Sequence, residues 1–366
     1  MRALLILLVP IVSLPLSGNF FGINYWYFEK LSTGERKLVA EKLKELRVDT
    51  VRIGGLWYDA KGMKTWVLED FFSLCEDLDA TPIVQIPLNG HTVDEMLNFV
   101  EKVRTMYRGR IIWSVGNEPD IYQDVGFSWI KRESREEVLG KMKEFLRKFD
   151  KGEDILILPD LSHRWRPWMM GSWTKHFLDL PFDVFSVHRY PFRYVFGYGQ
   201  IVEDVTNFTA EMLKLKRFLK KPVALTEINL SWDWNFHGEF SPEGEYAALW
   251  LVSIYVRSMV LDIWNVSVWS TVNDSSLSLL IVKDGKVEER PSFKALRVFK
   301  GISGDLKDHH FSKYLDWILI GNSLIVVNRY EKEVSVKTER GILRVPPMSV
   351  TRYDNGVKVF EWRVGM

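Results

Sequence analysis

The sequence predicts an α/β fold in which eight parallel strands close into a barrel, a (β/α)8 or TIM barrel, followed by a small antiparallel β-domain. Short apolar runs alternate with amphipathic stretches eight times over about 280 residues, and each parallel return requires a crossover connection of this kind. The runs are nearly continuous in apolar residues, as expected of strands covered on both faces. No GxGxxG segment follows the first run, which weakens a dinucleotide-binding alternative.

The elements follow one another in strict order. The predicted strands are Phe20–Asn24, Asp49–Gly54, Thr81–Pro87, Arg110–Gly116, Asp154–Pro159, Asp183–His188, Pro222–Glu227 and Ile263–Ser270. The predicted helices are Thr33–Arg47, Trp66–Leu78, Thr92–Tyr107, Arg132–Phe149, Trp173–Leu178, Val202–Leu219, Pro242–Leu261 and Pro291–Lys300. After Gly301, short strands separated by turn residues are expected at Trp317–Val327, Glu333–Thr338, Gly341–Val345, Ser349–Tyr353 and Lys358–Trp362. We therefore expect a barrel over residues 19–302 and a β-domain over 303–366.

Composition limits the partners and cofactors that are expected for this protein. Lys and Arg total 49 against 48 Asp and Glu, so no electrostatic argument favours nucleic acid as a partner. Cys75 is the only cysteine, which excludes an intrachain disulfide and a thiolate metal cluster. The seven histidines show no HExxH spacing, and His309 and His310 are expected on a solvated surface. We predict no metal and no cofactor.

Residues 1–18 resemble a secretory leader. Arg2 precedes an apolar run from Ala3 to Leu16, and Ser17 and Gly18 follow. The run is short for a membrane span, which needs about 20 apolar residues. The A-x-A cleavage pattern is absent, so an uncleaved anchor stays open as an alternative. We expect a secreted or cell-surface protein of prokaryotic type, with no stable membrane insertion unless the leader is uncleaved.

Two glutamates at strand ends carry the chemistry. Active sites of β/α barrels lie where the strands end, and Glu118 follows the fourth strand while Glu227 ends the seventh. Glycosidic cleavage uses one protonated and one ionised carboxyl group facing each other. We expect ionised Glu227 to raise the pKa of Glu118 by repulsion. Either glutamate alone is more often a solvated strand end or half of an ion pair.

The segments Gly116–Asp120 (GNEPD) and Leu225–Ile228 (LTEI) resemble two motifs of the large clan of retaining (β/α)8 glycosidases that includes cellulases, β-mannanases and β-xylosidases. The resemblance covers residues 20 to about 300. It implies that Glu118 is the acid/base and Glu227 the nucleophile. It further implies that Asn117 binds a sugar hydroxyl.

Other strand ends agree with this resemblance. It implies that Arg52 braces the nucleophile, that Tyr190 donates a hydrogen bond to Glu227, and that Trp269 forms a platform beneath the sugar, followed by a cis peptide bond to Ser270. His188 is equally consistent with a core histidine and with a substrate contact.

Aromatic residues crowd the predicted loops at the barrel mouth. Flat rings pack against the C–H faces of sugars, and Trp232 and Trp234 after the seventh strand are the next substrate-binding candidates after Trp269. Long loops also use aromatics as a small core of their own. The remaining tryptophans noted in these loops are Trp57, Trp129, Trp165, Trp168 and Trp173.

The sequence therefore predicts a retaining glycoside hydrolase acting on a β-linked glycan or glycoside, with a carbohydrate as its partner. A transglycosylase with the same covalent intermediate and a non-catalytic carbohydrate-binding barrel are the alternatives. The sugar, the linkage and the choice between internal and terminal cleavage stay open.

Overall fold

The computed structural model describes residues 18–339 and 341–365. The predicted leader lies outside these ranges except for Gly18, and its role stays a prediction. Among the described helices, none combines the length and apolar character needed to cross a membrane.

Eight parallel strands close into a barrel, as predicted. Each strand pairs with the next one along the chain, and the first pairs with the eighth. The strands are β1 Phe21–Tyr25, β2 Thr50–Ile53, β3 Thr81–Ile86, β4 Ile112–Val115, β5 Ile155–Leu161, β6 Val184–Arg189, β7 Val223–Ile228 and β8 Asn265–Val268.

Helices cover the outside of the barrel. Three of them begin with a capping box. The side chain of the Ser or Thr before the helix accepts a hydrogen bond from the backbone N–H three residues later, and the glutamate at that later position accepts one from the backbone N–H of the Ser or Thr. The predicted helix at Trp173–Leu178 is only a 3-10 turn, Thr174–His176, and a short helix after β2 was not predicted. The helices are α1 Thr33–Leu43, α2 Leu56–Lys61, α3 Thr65–Asp77, α4 Val93–Met106, α5 Arg135–Lys148, α6 Tyr198–Leu219, α7 Glu245–Val260 and α8 Pro291–Leu296.

Layering of residues along the strands places a polar site at one end of the barrel. Strands β3 to β7 contribute an apolar cluster near their amino ends, formed by Ile83, Ile112, Ile157, Val184 and Ala224. Side chains two residues apart on a strand share a face. At that spacing the buried residues become polar on four of these strands, at Gln85, Ser114, Ser186 and Thr226. The carboxyl end of the barrel is therefore lined with hydrogen-bonding groups.

A two-stranded hairpin that the sequence analysis did not predict lies between β8 and α8. Its strands are β9 Leu280–Lys283 and β10 Lys286–Glu289. Asp284 and Gly285 form the two-residue turn with φ values of 51° and 70°, which is the conformation that Asp-Gly favours in hairpins.

The C-terminal region is an antiparallel β-domain in which the described residues form seven strands rather than the five predicted. Trp317–Val327 was expected as one strand, but a turn at Gly321 with φ 54° divides it in two. His309 and His310, expected on a solvated surface, belong to an edge strand, where His310 is exposed and His309 is half-buried. One sheet contains β11 Leu306–Phe311, β12 Leu315–Ile320, β13 Ser323–Asn328, β16 Ser349–Asp354 and β17 Val357–Arg363, and a hairpin contains β14 Val334–Thr338 and β15 Gly341–Val345.

The β-domain docks on α7 through a buried ion cluster. Asp316 on β12 is fully buried. Its carboxylate accepts hydrogen bonds from Arg257 of α7 and from Arg329, each at 2.8 Å. Arg329 also donates to the Ser253 hydroxyl of α7 at 2.7 Å. Apolar residues from both regions, including Ile318 and Phe299, belong to one continuous core.

Candidate active site

The two predicted glutamates meet at the carboxyl end of the barrel. Glu118 lies just beyond β4 in the left-handed conformation, with φ 50° and ψ 50°, and its backbone N–H donates to the Asp160 carbonyl at 3.0 Å. Glu227 lies on β7. One carboxylate oxygen of each glutamate and a ring nitrogen of His188 all lie within 4.8 Å of one another. Residues that are 109 positions apart in the chain (227 − 118) therefore face each other across the mouth.

Glu227 is held by two strong donors. Its Oε1 accepts from Arg52 at 2.7 Å, and its Oε2 accepts from the Tyr190 hydroxyl at 2.6 Å. Burial raises the pKa of Glu227 above its usual range, and the charge of Arg52 and the hydroxyl of Tyr190 offset part of that rise. Both donors favour the ionised form, which is the form a nucleophile requires.

Glu118 has a different environment. Its closest polar partner is His188, whose Nδ1 lies 2.9 Å from Oε1. Burial, followed by the charge of Asp120, raises the pKa of Glu118 to about 8. The direction is the one expected, but the cause differs, because burial rather than repulsion from Glu227 is the largest contribution. A pKa raised in this direction favours the protonated form of Glu118 at neutral pH, which is the form that can donate a proton.

His188 connects the two glutamates. It is fully buried on β6, and its Nδ1 lies 3.4 Å from Glu227 Oε2 as well as 2.9 Å from Glu118. Burial lowers the pKa of His188, which favours the neutral ring. Of the two readings of this histidine, the structure therefore places it beside the carboxyl pair rather than in the apolar core.

Arg52 organises the mouth and brings in a residue that sequence reasoning missed. The guanidinium is fully buried and donates to Glu227 at 2.7 Å, Asn117 at 2.8 Å, Asn24 at 3.0 Å and Asp160 at 3.0 Å. Asp160 was missed because the fifth strand was expected to end at Pro159, whereas β5 continues to Leu161.

Asp160 is a buried, ionised carboxylate. Its side chain accepts from Arg52, from the Thr226 hydroxyl at 2.6 Å and from the Ser114 hydroxyl. Burial alone would raise the pKa of Asp160, but the charge of Arg52, the largest opposing contribution, acts together with hydrogen bonds such as that from Ser114 and brings it down to about 2. Asp160 thereby joins β2, β4 and β7 beneath the two glutamates.

The predicted sugar-contacting residues fall into two groups. Asn117 and Trp269 lie at the mouth: Asn117 Oδ1 accepts from Arg52 at 2.8 Å, and the peptide bond from Trp269 to Ser270 is cis, as the resemblance predicts. The Trp269 indole donates to Asp274 at 2.9 Å and packs against Trp26, with ring centroids 5.2 Å apart. Trp26 was not among the predicted residues.

Trp232 and Trp234 form the second group. Both lie in the loop after β7 with about half of their surface exposed, and within the described chain neither hydrogen-bonds to Glu118 or Glu227. They are positioned at the rim of the mouth rather than against the carboxyl pair.

Glu118, His188 and Glu227 form the one group among the described residues that could offer three ligand atoms to a metal ion. The Arg52 guanidinium lies 2.7 Å from Glu227. A fixed positive charge at that distance opposes the binding of a cation between the same carboxylates.

The fold is that of the (β/α)8 glycoside hydrolases. Solved structures similar to this chain include an α-L-arabinofuranosidase from Thermotoga maritima in complex with arabinose, with 17% identity, coverage of 95% of this chain and 94% of that chain, and a TM-score of 0.66. A monomeric β-xylosidase from Caulobacter crescentus is 13% identical over 88% of this chain and 76% of that chain, with a TM-score of 0.61.

A family 30 subfamily 8 xylanase from Clostridium acetobutylicum is 12% identical over 92% of this chain and 96% of that chain, with a TM-score of 0.58. No protein-family model and no curated protein matches the sequence. Identities this low show the fold alone, and at that level the resemblance expected from the strand-end motifs is confirmed.

Proposed function

We propose that this chain is a retaining glycoside hydrolase, with Glu227 as the nucleophile and Glu118 as the acid/base. The observation that carries the proposal is the pair of carboxyl groups, with oxygens within 4.8 Å of each other and unequal surroundings. Carboxyl groups about 5–5.5 Å apart are typical of retaining enzymes, whereas inverting enzymes need about 6.5–9.5 Å to admit a water molecule. Arg52 and Tyr190 bind only Glu227 of the two.

The proposed reaction has two displacements. Glu227 forms a bond to the anomeric carbon as the glycosidic bond breaks, and the proton of Glu118 moves to the departing oxygen. Ester formation removes the charge of Glu227, and Glu118 is now the ionised member of the pair. Glu118 then takes a proton from water as the water oxygen attacks the anomeric carbon and Glu227 is released.

The strand-end motifs and the similar solved structures favour different classes of substrate. The strand-end motifs favour a β-linked glycan or glycoside, while several of the similar solved structures are α-L-arabinofuranosidases. We therefore propose that β-D-xylosides, β-D-glucosides, β-D-mannosides and α-L-arabinofuranosides be tested together.

The test uses p-nitrophenyl glycosides of these four sugars. Wild type should cleave at least one with retention of anomeric configuration, as monitored by NMR of the first product. Glu118→Ala and Glu227→Ala should each lose at least about 10³-fold in kcat while remaining folded. Wild-type turnover in either variant, or an inverted first product, contradicts the proposal.

Azide distinguishes the two roles. With Glu227→Ala, azide should attack the anomeric carbon directly and give a glycosyl azide of inverted configuration. With Glu118→Ala and an activated leaving group, it should instead attack the covalent intermediate and give the retained configuration. The opposite pattern would exchange the assigned roles. Transfer to an added sugar acceptor in preference to water would indicate a transglycosylase.

A further inference from the structure

We infer that the mouth binds an extended glycan chain, which lies on two exposed aromatic surfaces at opposite sides of the glutamate pair. The inference rests on the proposed function and adds the class of substrate: a polymer or long oligosaccharide cleaved at an internal bond, with sugar units bound on both sides of the cleavage point.

The first surface, here the β2–β4 platform, consists of Trp57, Phe127 and Trp129. Trp57 lies in α2 directly after β2, and the other two rings lie in the loop between β4 and α5. The Phe127 and Trp129 rings stack at 4.9 Å, and Trp57 meets Trp129 edge-on at 5.3 Å. The three rings order one another, yet Trp57 remains 47% exposed. The platform therefore presents a fixed aromatic surface to solvent.

The second surface, the β6–β7 platform, consists of Arg193, Trp232 and Trp234. The two tryptophans are 52% and 51% exposed. The Arg193 guanidinium lies over the Trp232 ring, 5.1 Å from its centroid, and pairs with Asp233 at 3.3 Å. A flat ring beside charged hydrogen-bonding groups matches a sugar, which has an apolar face and a rim of hydroxyls.

Exposure separates these rings from aromatics that form the cores of loops. Trp165 and Trp173, in the loop after β5, are only 1% and 5% exposed, so they pack inside their own loop. The platform rings lie at the same end of the barrel, but all except the half-buried Trp129 are exposed. Contiguous exposed aromatic surface next to a cleft is typical of a binding site.

Topology places the glutamates between the platforms. In a closed barrel of eight strands in sequential order, β3 lies opposite β7. The β2–β4 platform stands above the half of the barrel centred on β3, and the β6–β7 platform above the other half. Glu118 follows β4 and Glu227 lies on β7. A chain that contacts both platforms crosses the mouth that holds both carboxyl groups, and this favours a glycan as the occupant.

The experiment compares long and short substrates of one sugar. The probes are hexasaccharides of β-1,4-linked xylose, glucose and mannose and of α-1,5-linked arabinose, each beside its p-nitrophenyl monoglycoside. The variants are Trp57→Ala with Trp129→Ala, and Trp232→Ala with Trp234→Ala. The control is Phe218→Ala, which removes an exposed ring at the carboxyl end of α6, at the opposite end of the barrel.

For the sugar that wild type cleaves best, each double variant should lower the ratio of kcat/KM for the hexasaccharide to that for the monoglycoside by about tenfold, since tenfold corresponds to the loss of about 1.4 kcal/mol of binding. Loss of one platform should also shift the position of cleavage along the hexasaccharide. The control should keep the wild-type ratio. An unchanged ratio in both double variants overturns the inference while leaving the proposed hydrolase intact.

If no glycoside in the panel is cleaved, the proposed function and internal cleavage both fail, and titration calorimetry with the same hexasaccharides then decides whether the two platforms bind a glycan chain. Weaker binding by both double variants than by wild type supports the glycan surface. Absence of hexasaccharide binding by wild type overturns it. So does a wild-type dimer that the double variants convert to monomer with unchanged hexasaccharide binding.

Discussion

The molecule contains two clusters of buried charged residues, one at the mouth of the barrel and one between α7 and the β-domain. Among the described residues, the mouth cluster contains one guanidinium, Arg52, with the carboxyl groups of Glu118, Asp160 and Glu227 around it. The interface cluster between α7 and the β-domain has the reverse composition, with the guanidiniums of Arg257 and Arg329 around Asp316 alone. Carboxyl groups are in surplus at the mouth, and guanidiniums are in surplus at the interface.

Burial and the balance of charge together decide which cluster can exchange a proton. At the interface, burial acts to raise the pKa of Asp316, but the two arginines outweigh it and hold the pKa below its usual range. At the mouth, a single arginine stabilises Asp160 and Glu227, and the pKa of Glu118 rises to about 8. Only the mouth therefore keeps a titratable proton near neutral pH, while the interface cluster stays ionised and acts as a fixed connection.

Removing the single cation of the mouth should have the largest effect. Arg52→Met leaves Asp160 and Glu227 buried without their shared partner, so Glu227 takes up a proton more readily and loses nucleophilicity. We expect kcat/KM on the best p-nitrophenyl glycoside to fall by about 10³- to 10⁴-fold, equivalent to about 4–5.5 kcal/mol.

The control for this variant is Arg189→Met, another buried arginine, which pairs with Asp204 and Glu211 instead. It should lower the thermal midpoint but keep kcat near wild type. If Arg52→Met retains activity within tenfold of wild type, Arg52 does not support the nucleophile.

Breaking the interface cluster should affect stability instead of catalysis. Asp316→Ala leaves two buried guanidiniums without their anion, and a loss of about 3–5 kcal/mol in the free energy of unfolding is expected from urea titration. Replacing the whole cluster by Arg257→Met, Asp316→Leu and Arg329→Met should restore most of that loss, because no buried charge is left unpaired. A change in the pH dependence of kcat in either variant would show that the interface is coupled to the mouth.

Elements and residues could be predicted from the sequence where the neighbouring residues along the chain indicate their role. The eight strand–helix repeats were readable because both-face burial leaves continuous apolar runs. Glu118 and Glu227 stood out because each is a charged residue at the end of such a run. The β9–β10 hairpin was overlooked although Asp284-Gly285 is a hairpin signal, because two strands of four residues are too short to show a pattern.

Residues whose role depends on distant partners were not predictable. Asp160 looks like an ordinary loop residue after Pro159, and only the fold brings it to Arg52, 108 positions away. The same limit applies to the tryptophans of the mouth loops. Trp165 and Trp232 both lie in a predicted loop after a barrel strand. Tertiary packing buries Trp165 and leaves Trp232 exposed, which the local sequence does not indicate.

A single hydrogen bond at the mouth should have an intermediate effect. Tyr190→Phe removes the donor 2.6 Å from Glu227 Oε2, and a hydrogen bond to a charged group contributes about 1.5–3 kcal/mol. We expect kcat to fall about 10- to 100-fold. Tyr255→Phe is the matched control, because that buried hydroxyl donates to the Val266 carbonyl at 2.9 Å and not to a glutamate. An equal loss of kcat in both variants would make the Tyr190 effect merely structural.

The smallest and most specific change is expected at Asp120. Its charge raises the pKa of Glu118 more than any other charge does, and only burial contributes more. Glu118 must be protonated to act, so kcat/KM of wild type should fall as the pH rises through about 8. Asp120 is buried, and its carboxylate accepts from the backbone N–H groups of Ser162 and Arg164, each at 2.9 Å. Asp120→Asn keeps an acceptor oxygen and removes the charge, which lowers the pKa of Glu118.

The basic limb of the Asp120→Asn profile should therefore move to lower pH, by less than about one unit, or 1.36 kcal/mol. Asp124→Asn serves as the control, since this more exposed carboxylate pairs with Arg164 in the neighbouring loop and is not among the charges that shift Glu118. A limb that moves upward, or that moves equally in the two variants, would mean that the group titrating near pH 8 is not Glu118. The surplus of carboxyl groups at the mouth would then have no catalytic consequence, and the contrast with the interface cluster would be one of stability alone.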